Sequence, residues 1–260
     1  MPLQRINLDG VVIYLSPLLA SARVPHGFSA RLGGVSTGPF ASLNLGNPLH
    51  LEARDPPEHI AENYRRLMAA CGMAGRRRHW LHQVHGGRCV VAGQTPLAGE
   101  EQADALATAD AASCLSVRVA DCTPVLFADR AGRRVAAAHA GWRGTVAGVA
   151  LAALAALETP PADVLVAVGP AISVDAFEVG PEVLAQFDTA FTRRAEGANP
   201  DGKGFVDLQG VLVKQLTDAG VPPAQIDVTD RCTFRDEVEF FSHRRDNGLT
   251  GRMAALIGPA

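Results

Sequence analysis

The chain has 260 residues, 47% apolar and 20% charged, an ordinary globular composition with ample sequence for a large core. A net charge of −3 gives no electrostatic footprint for nucleic acid or an acidic membrane surface, so neither is expected as a partner. The longest apolar run, Val146 to Leu157, is too short to span a bilayer.

Near the N-terminus, Arg5 precedes the apolar run 11–22, but Asp9 and Pro17 argue against a secretion signal. "GVVIYLSP" (10–17) and "HGFSAR" (26–31) read as strands, and the Gly/Ser-rich 32–46 as a long flexible loop. Residues 56–72 have helical spacing, with Ile60, Tyr64, Leu67, Met68 and Cys71 on one side and Gly72 as a stop. "GRRRH" (75–79) reads as a charged surface turn, and 93–102 carries no pattern that assigns it.

Strands are expected at 79–84, 88–92, 115–120, 124–128 and 133–139, and a helix from about Gly144 to Leu157. A strand at 163–169 precedes helices at 181–191 and 206–220, and strands return at 226–234, 238–243 and 251–258. Strands outnumber helices and often follow one another directly. That order predicts an α+β fold of mixed sheets flanked by helices, in one domain over 1–260. Cysteines 71, 89, 114, 122 and 232 have no framework spacing, which suits a reduced, cytoplasmic protein.

Three places put a metal donor where a strand gives way to a loop: "WLHQVHGG" (80–87), "ADCTP" (120–124) and "AAAHAGWRGT" (136–145). The donors are His82 or His85, then Cys122, then His139. Period-two alternation puts His82 and His85 on opposite faces, and the glycines after His85 favour it as the one that meets a ligand. One Cys and two His suit Zn²⁺, with Cu²⁺ the alternative that the same soft donors accept. Three ligands would leave a fourth position for water or substrate, as in catalytic sites. Asp121 is expected to orient a ligand or hold a proton. A Cys122–His139 nucleophile–base pair is the competing use of the same residues.

Arg143, at the Gly-rich turn before a helix, and Thr145, as its cap, suggest an anion site. Arg31, Ser36 and Asn44 form a second polar cluster, and Ser242, His243, Arg244 and Arg245 a third. No Walker A or G-x-G-x-x-G pattern occurs.

Together, "RLGGVSTGPFASLNLG", "HQVHG", "ADALAT", "ADCTP", "HAGWRG", "GPAISVDAFEVG" and "SHRRDNGLTGR" resemble, in order, the YfiH or laccase-domain family, over about Gly27 to Gly258. The resemblance implies a layered YfiH-like sandwich and a metal held by His85, Cys122 and His139. It also implies a zinc-dependent purine nucleoside phosphorylase acting on adenosine, inosine and methylthioadenosine, with adenosine deamination as a side activity. Its partners would be a small nucleoside and phosphate, and oligomeric state is not implied. Catalysis would fall to Cys122, His85, His139, Asp121 and Arg143, and substrate or phosphate binding to Arg31, Asn44, Arg143, Ser242 and His243. Names borne within the family imply two alternatives, a peptidoglycan-editing hydrolase on a muropeptide precursor and a copper-dependent polyphenol oxidase.

Overall fold

The computed structural model describes residues 2–47, 52–194 and 202–260. The first half contains β1 (Gln4–Leu8), β2 (Val11–Leu15), α1 (Pro17–Ser21), β3 (His26–Ser29) and α2 (Pro57–Ala70). Then come β4 (Arg77–His82), β5 (Cys89–Val91), β6 (Ala98–Gln102), β7 (Ala105–Thr108) and β8 (Ser113–Val119). The centre holds β9 (Thr123–Asp129), β10 (Val135–Ala140), α3 (Trp142–Val146), α4 (Val149–Ala156) and β11 (Val164–Val168). Last are β12 (Glu178–Val179), α5 (Pro181–Leu184), β13 (Thr192–Arg194), β14 (Gly204–Val206), α6 (Leu208–Asp218), β15 (Ile226–Val228) and β16 (Met253–Ile257).

Two large mixed sheets stack face to face. One has seven strands in the order β1-β2-β3-β16-β8-β4-β6, the other six in the order β15-β11-β9-β10-β7-β5. Alternation along the strands explains the layering. Val117 and Val119 of β8 face Leu126, Ala128, Val135 and Ala137 of the other sheet in the central core. Cys114 faces the opposite way, under Tyr64, Leu67 and Met68 of α2. The outer face of the six-stranded sheet buries Phe127, Ala136 and Val166 beneath Ala153, Leu154, Leu212 and Leu216 of α4 and α6. The result is a helix–sheet–sheet–helix sandwich, the mixed α+β class that the strand order predicts. A small sheet of β12, β14 and β13 stands apart, packed on α5.

The chain passes between the two large sheets at β4–β5, β6–β7 and β8–β9.

Several local expectations give way. The helix expected over Gly144–Leu157 starts at Trp142 and breaks at Gly148, whose φ of 75° interrupts the ladder and divides it into α3 and α4. The helix expected at 181–191 stops at Leu184, and 226–234 is strand only to Val228. Residues 238–243 are turn and loop, because Phe240 and Phe241 bury both rings in the central core without joining a ladder. "RRH" at 77–79 lies in β4 with His79 fully buried, and 93–102 contains β6. The loop 32–46 is packed rather than free: Asn44, Leu43 and Leu45 have no exposed surface. All five cysteines are unpaired, and among the described residues no helix is long and apolar enough to cross a membrane.

His26 makes the fold sensitive to acid. It is 3% exposed; its Nδ1 donates to the Val24 carbonyl, and its Nε2 accepts from the Ser16 amide, both at 2.8 Å. This uses the neutral ring, and burial holds its pKa below the ordinary histidine value. The unfolded chain therefore takes up a proton near pH 6.5 that the folded chain still refuses, so stability falls as pH drops below that point. In denaturant titrations at pH 7.5 and 5.5, His26→Gln should lose part of the acid-induced drop in midpoint that the native chain shows.

Candidate metal centre

His85, Cys122 and His139 come together, with one ligand atom from each lying within 4.8 Å of the others. The rings of His85 and His139 meet edge to face, with centroids 4.9 Å apart. His85 lies in the β4–β5 crossing, Cys122 in the β8–β9 crossing, and His139 near the end of β10. Among the described residues no fourth Cys, His, Asp or Glu joins the group.

The backbone bends hard to arrange this. His85 has φ of 62° and Asp121, beside Cys122, has φ of 84°, both in the left-handed region. Strand β4 ends at His82, so His85 reaches the site through this turn and not through strand alternation. Gly141 completes the fit. A Cβ there would lie 2.9 Å from His85 Cδ2 and 3.0 Å from Cys122 Sγ. Any larger residue would collide with two ligands at once.

Asp104, fully buried in the β6–β7 crossing, organises the donors. Its Oδ1 accepts from His139 Nδ1 at 2.8 Å and from the His85 amide at 2.9 Å. Its Oδ2 accepts from the amides of Val84 and Gly86 at 3.1 and 2.7 Å, and its carbonyl from the His139 amide at 2.8 Å. With Nδ1 donating, His139 turns Nε2 toward the other donors, the tautomer a metal needs. Burial opposes the charge on Asp104, but His139 and the amides of Gly86 and His85 hold its carboxyl below the usual range.

Burial also opposes ionisation of Cys122. The charge and hydrogen bonding of His139, then of His85, outweigh it and bring the thiol down. Burial likewise opposes charge on His139, but Cys122 and Asp104 raise its pKa. The metal-free trio is thus a thiolate–imidazolium arrangement, and a cation would take the place of the imidazolium proton. A thiolate and two imidazoles in a rigid frame fit Zn²⁺ or Cu²⁺.

The trio opens into a cleft of about 530 Å³ whose lining includes Arg54, Trp80, Arg118, His243 and Arg252. Of the expected substrate residues, His243 lines this cleft; the others do not. Arg31 is spent on structure, donating to the carbonyls of Ala41 and Glu237 with Phe241 beneath its guanidinium. Buried Asn44 donates to Asp55 and accepts from the Arg252 amide, while buried Ser242 accepts from the Arg245 amide. Arg143 is exposed, with its guanidinium 4.2 Å from the Trp142 ring, and Thr145 sits inside α3 bonded to the Gly141 carbonyl instead of capping it. Asp121 gives its carboxylate to the Thr233 hydroxyl and the Arg244 amide; the contact expected of it, on a ligand, is made by Asp104.

Sequence reading missed Asp104, Arg118 and Arg252. The signal was available for Arg118, an arginine between valines and the one charged residue in its strand.

A histidine–cysteine–histidine cluster at the seam of a two-sheet sandwich is a candidate metal centre for one ion, in a fold of the laccase-domain type. The chain belongs to the family described as multi-copper polyphenol oxidoreductase laccase, whose model matches residues 25–260. It is 40% identical to a purine nucleoside phosphorylase of Deinococcus radiodurans, over 97% of this chain and 95% of that protein. Purine nucleoside phosphorylase YfiH of Escherichia coli K12 is 41% identical, over 88% of this chain and 91% of its own length. The crystal structure of YlmD from Geobacillus stearothermophilus superposes with a TM-score of 0.85 at 33% identity, covering 99% of this chain and 98% of that one.

Two substitutions test the frame around the donors. Asp104→Asn should weaken zinc binding about 10- to 100-fold in chelator competition while far-UV circular dichroism keeps its native shape. Gly141→Ala should release metal at chelator concentrations that the native protein withstands, because its methyl group displaces His85 and Cys122.

Proposed function

We propose that the protein is a zinc-dependent purine nucleoside phosphorylase acting on adenosine, inosine and methylthioadenosine, with adenosine deamination as a side activity. One observation carries the reading: the His85–Cys122–His139 donors open into a cleft with three arginines and no carboxylate among its described lining residues. The names of the two relatives, matched over nearly their full lengths, support it. Five unpaired cysteines suit the reduced, cytoplasmic setting where nucleosides and phosphate are at hand.

Phosphorolysis breaks the bond between the ribosyl C1′ and purine N9 and forms one from C1′ to a phosphate oxygen, the base leaving with the bonding pair. The cleft must therefore hold an anion and a planar base together. Arginines offset the phosphate charge. His82 and His243 supply titratable groups on the same lining for proton exchange with the base. When bound, the metal would supply a Lewis acid and lower the pKa of coordinated water to about 7.

The copper-relay chemistry in the family's description needs several metal centres. Among the described residues only one cluster of three donors occurs, which leaves that relay without further sites.

The deciding assay is hypoxanthine release from inosine, with and without phosphate, on zinc-loaded protein. Phosphate-dependent release should occur in the native chain and vanish, along with bound zinc, in His85→Ala, Cys122→Ala and His139→Ala. Absence of release from protein shown to hold its zinc would overturn the reading in favour of amide hydrolysis on a cell-wall precursor.

A further inference from the structure

Arg118 and Arg252 place two like charges close together in the cleft. In the antiparallel pairing of β8 with β16, Arg118 lies opposite Ala254, and Arg252, two residues before Ala254, immediately precedes β16. The two arginines are therefore diagonal neighbours on one face of the sheet, within reach of each other for long side chains. Both line the cleft that contains His85, Cys122 and His139.

Among the described residues neither forms an ion pair. Arg252 Nη1 donates to the carbonyls of Thr250 and Gly251 at 3.0 and 2.9 Å, and Arg118 Nη2 to the Leu81 carbonyl at 3.4 Å. These contacts aim the guanidiniums but do not neutralise them. Partial burial lowers the pKa of both, and the charge of Arg118 lowers that of Arg252 further, while Asp121 and Cys122 act on Arg252 in the opposite sense. Holding two like charges together, partly shielded from water, costs free energy that a bound anion would recover.

The surroundings keep the pair in place. Trp80 lies beneath Arg118, with the guanidinium carbon 4.9 Å from the ring centroid. The Arg118 backbone is clamped by Gln83, whose amide group bonds its N–H and its carbonyl at 2.8 and 2.7 Å. Gly46 leaves the side chain its path, since a Cβ there would lie 2.9 Å from Arg118 Cδ. The Arg252 amide is bonded to Asn44 Oδ1 at 2.9 Å.

The geometry points to Arg118 and Arg252 as a paired guanidinium site for a tetrahedral oxyanion, the inorganic phosphate co-substrate, beside the metal centre. This assignment rests on the phosphorylase reading for the ligand's role, though the binding itself does not. It moves phosphate recognition from the exposed Arg143 to two arginines on the sheet face. The pair binds the acceptor; the bond changes are those of phosphorolysis given above.

The test is phosphate binding to zinc-loaded protein without nucleoside, by calorimetry, followed by phosphate KM in inosine phosphorolysis. Arg118→Gln and Arg252→Gln should each weaken phosphate binding and raise its KM roughly tenfold to a hundredfold, with zinc content and inosine KM little changed. Arg118→Lys, which keeps the charge but not the fork, should recover part of the loss, and its folding guards against a structural failure of the Gln variant. Unaltered phosphate affinity in both Gln variants would overturn the site, because the metal or another group would then hold the anion. A phosphate KM that rises in Arg143→Gln but in neither of them would overturn it equally. Native protein that binds phosphate through these arginines yet releases no hypoxanthine would leave the site standing and sink the phosphorylase reading instead.

Discussion

The Asp104 carboxylate is the constraint on which the centre depends. It accepts from a histidine ring and from three consecutive backbone amides, and the same residue's carbonyl takes the His139 amide. It sits where the chain crosses from the seven-stranded sheet to the six-stranded one, as do the segments bearing His85 and Cys122. Three crossings at one seam thus converge on one anchored anion. A donor set drawn from separate loops would otherwise be a loose one, since loops are the most mobile parts of a fold. Here the sheets hold the ends of each crossing, and the carboxylate ties two donors together.

Strain and shape follow from that anchoring. Left-handed conformations at His85 and Asp121 cost about 1–3 kcal/mol each and persist only where surrounding structure over-determines them. The His85 turn is held by the bonds of Val84, His85 and Gly86 to Asp104; the Asp121 turn is held by its own carboxylate on Thr233 and Arg244. The energy that could have gone into stability is stored as a preformed donor set, which a cation need not assemble on arrival.

The polar motifs divide by what their side chains touch. Arg31, Ser36, Asn44 and Ser242 look like recognition groups in the sequence, yet each is turned into the protein. Ser36 and Asn44 both donate to buried Asp55, next in the chain to the cleft residue Arg54. These four bond within the protein. What differs is position: Arg118 and Arg252 line the cleft, and the other four do not.

Much of this was legible in the chain itself. Alternating apolar runs and directly succeeding strands establish mixed sheets, the spacing of Tyr64, Leu67 and Met68 establishes α2, and strand-end positions mark Cys122 and His139 as donors. These features are local, set by periods of two and 3.6 residues and by the chemistry of thiol and imidazole. The rest required the tertiary structure. Which sheet a strand joins, which crossing brings a carboxylate to His139, and which arginines face the cleft depend on contacts between residues far apart in sequence: 104 with 139, 118 with 252. Such pairs leave no periodic trace, because each is fixed by how two finished sheets stack and not by the residues beside it.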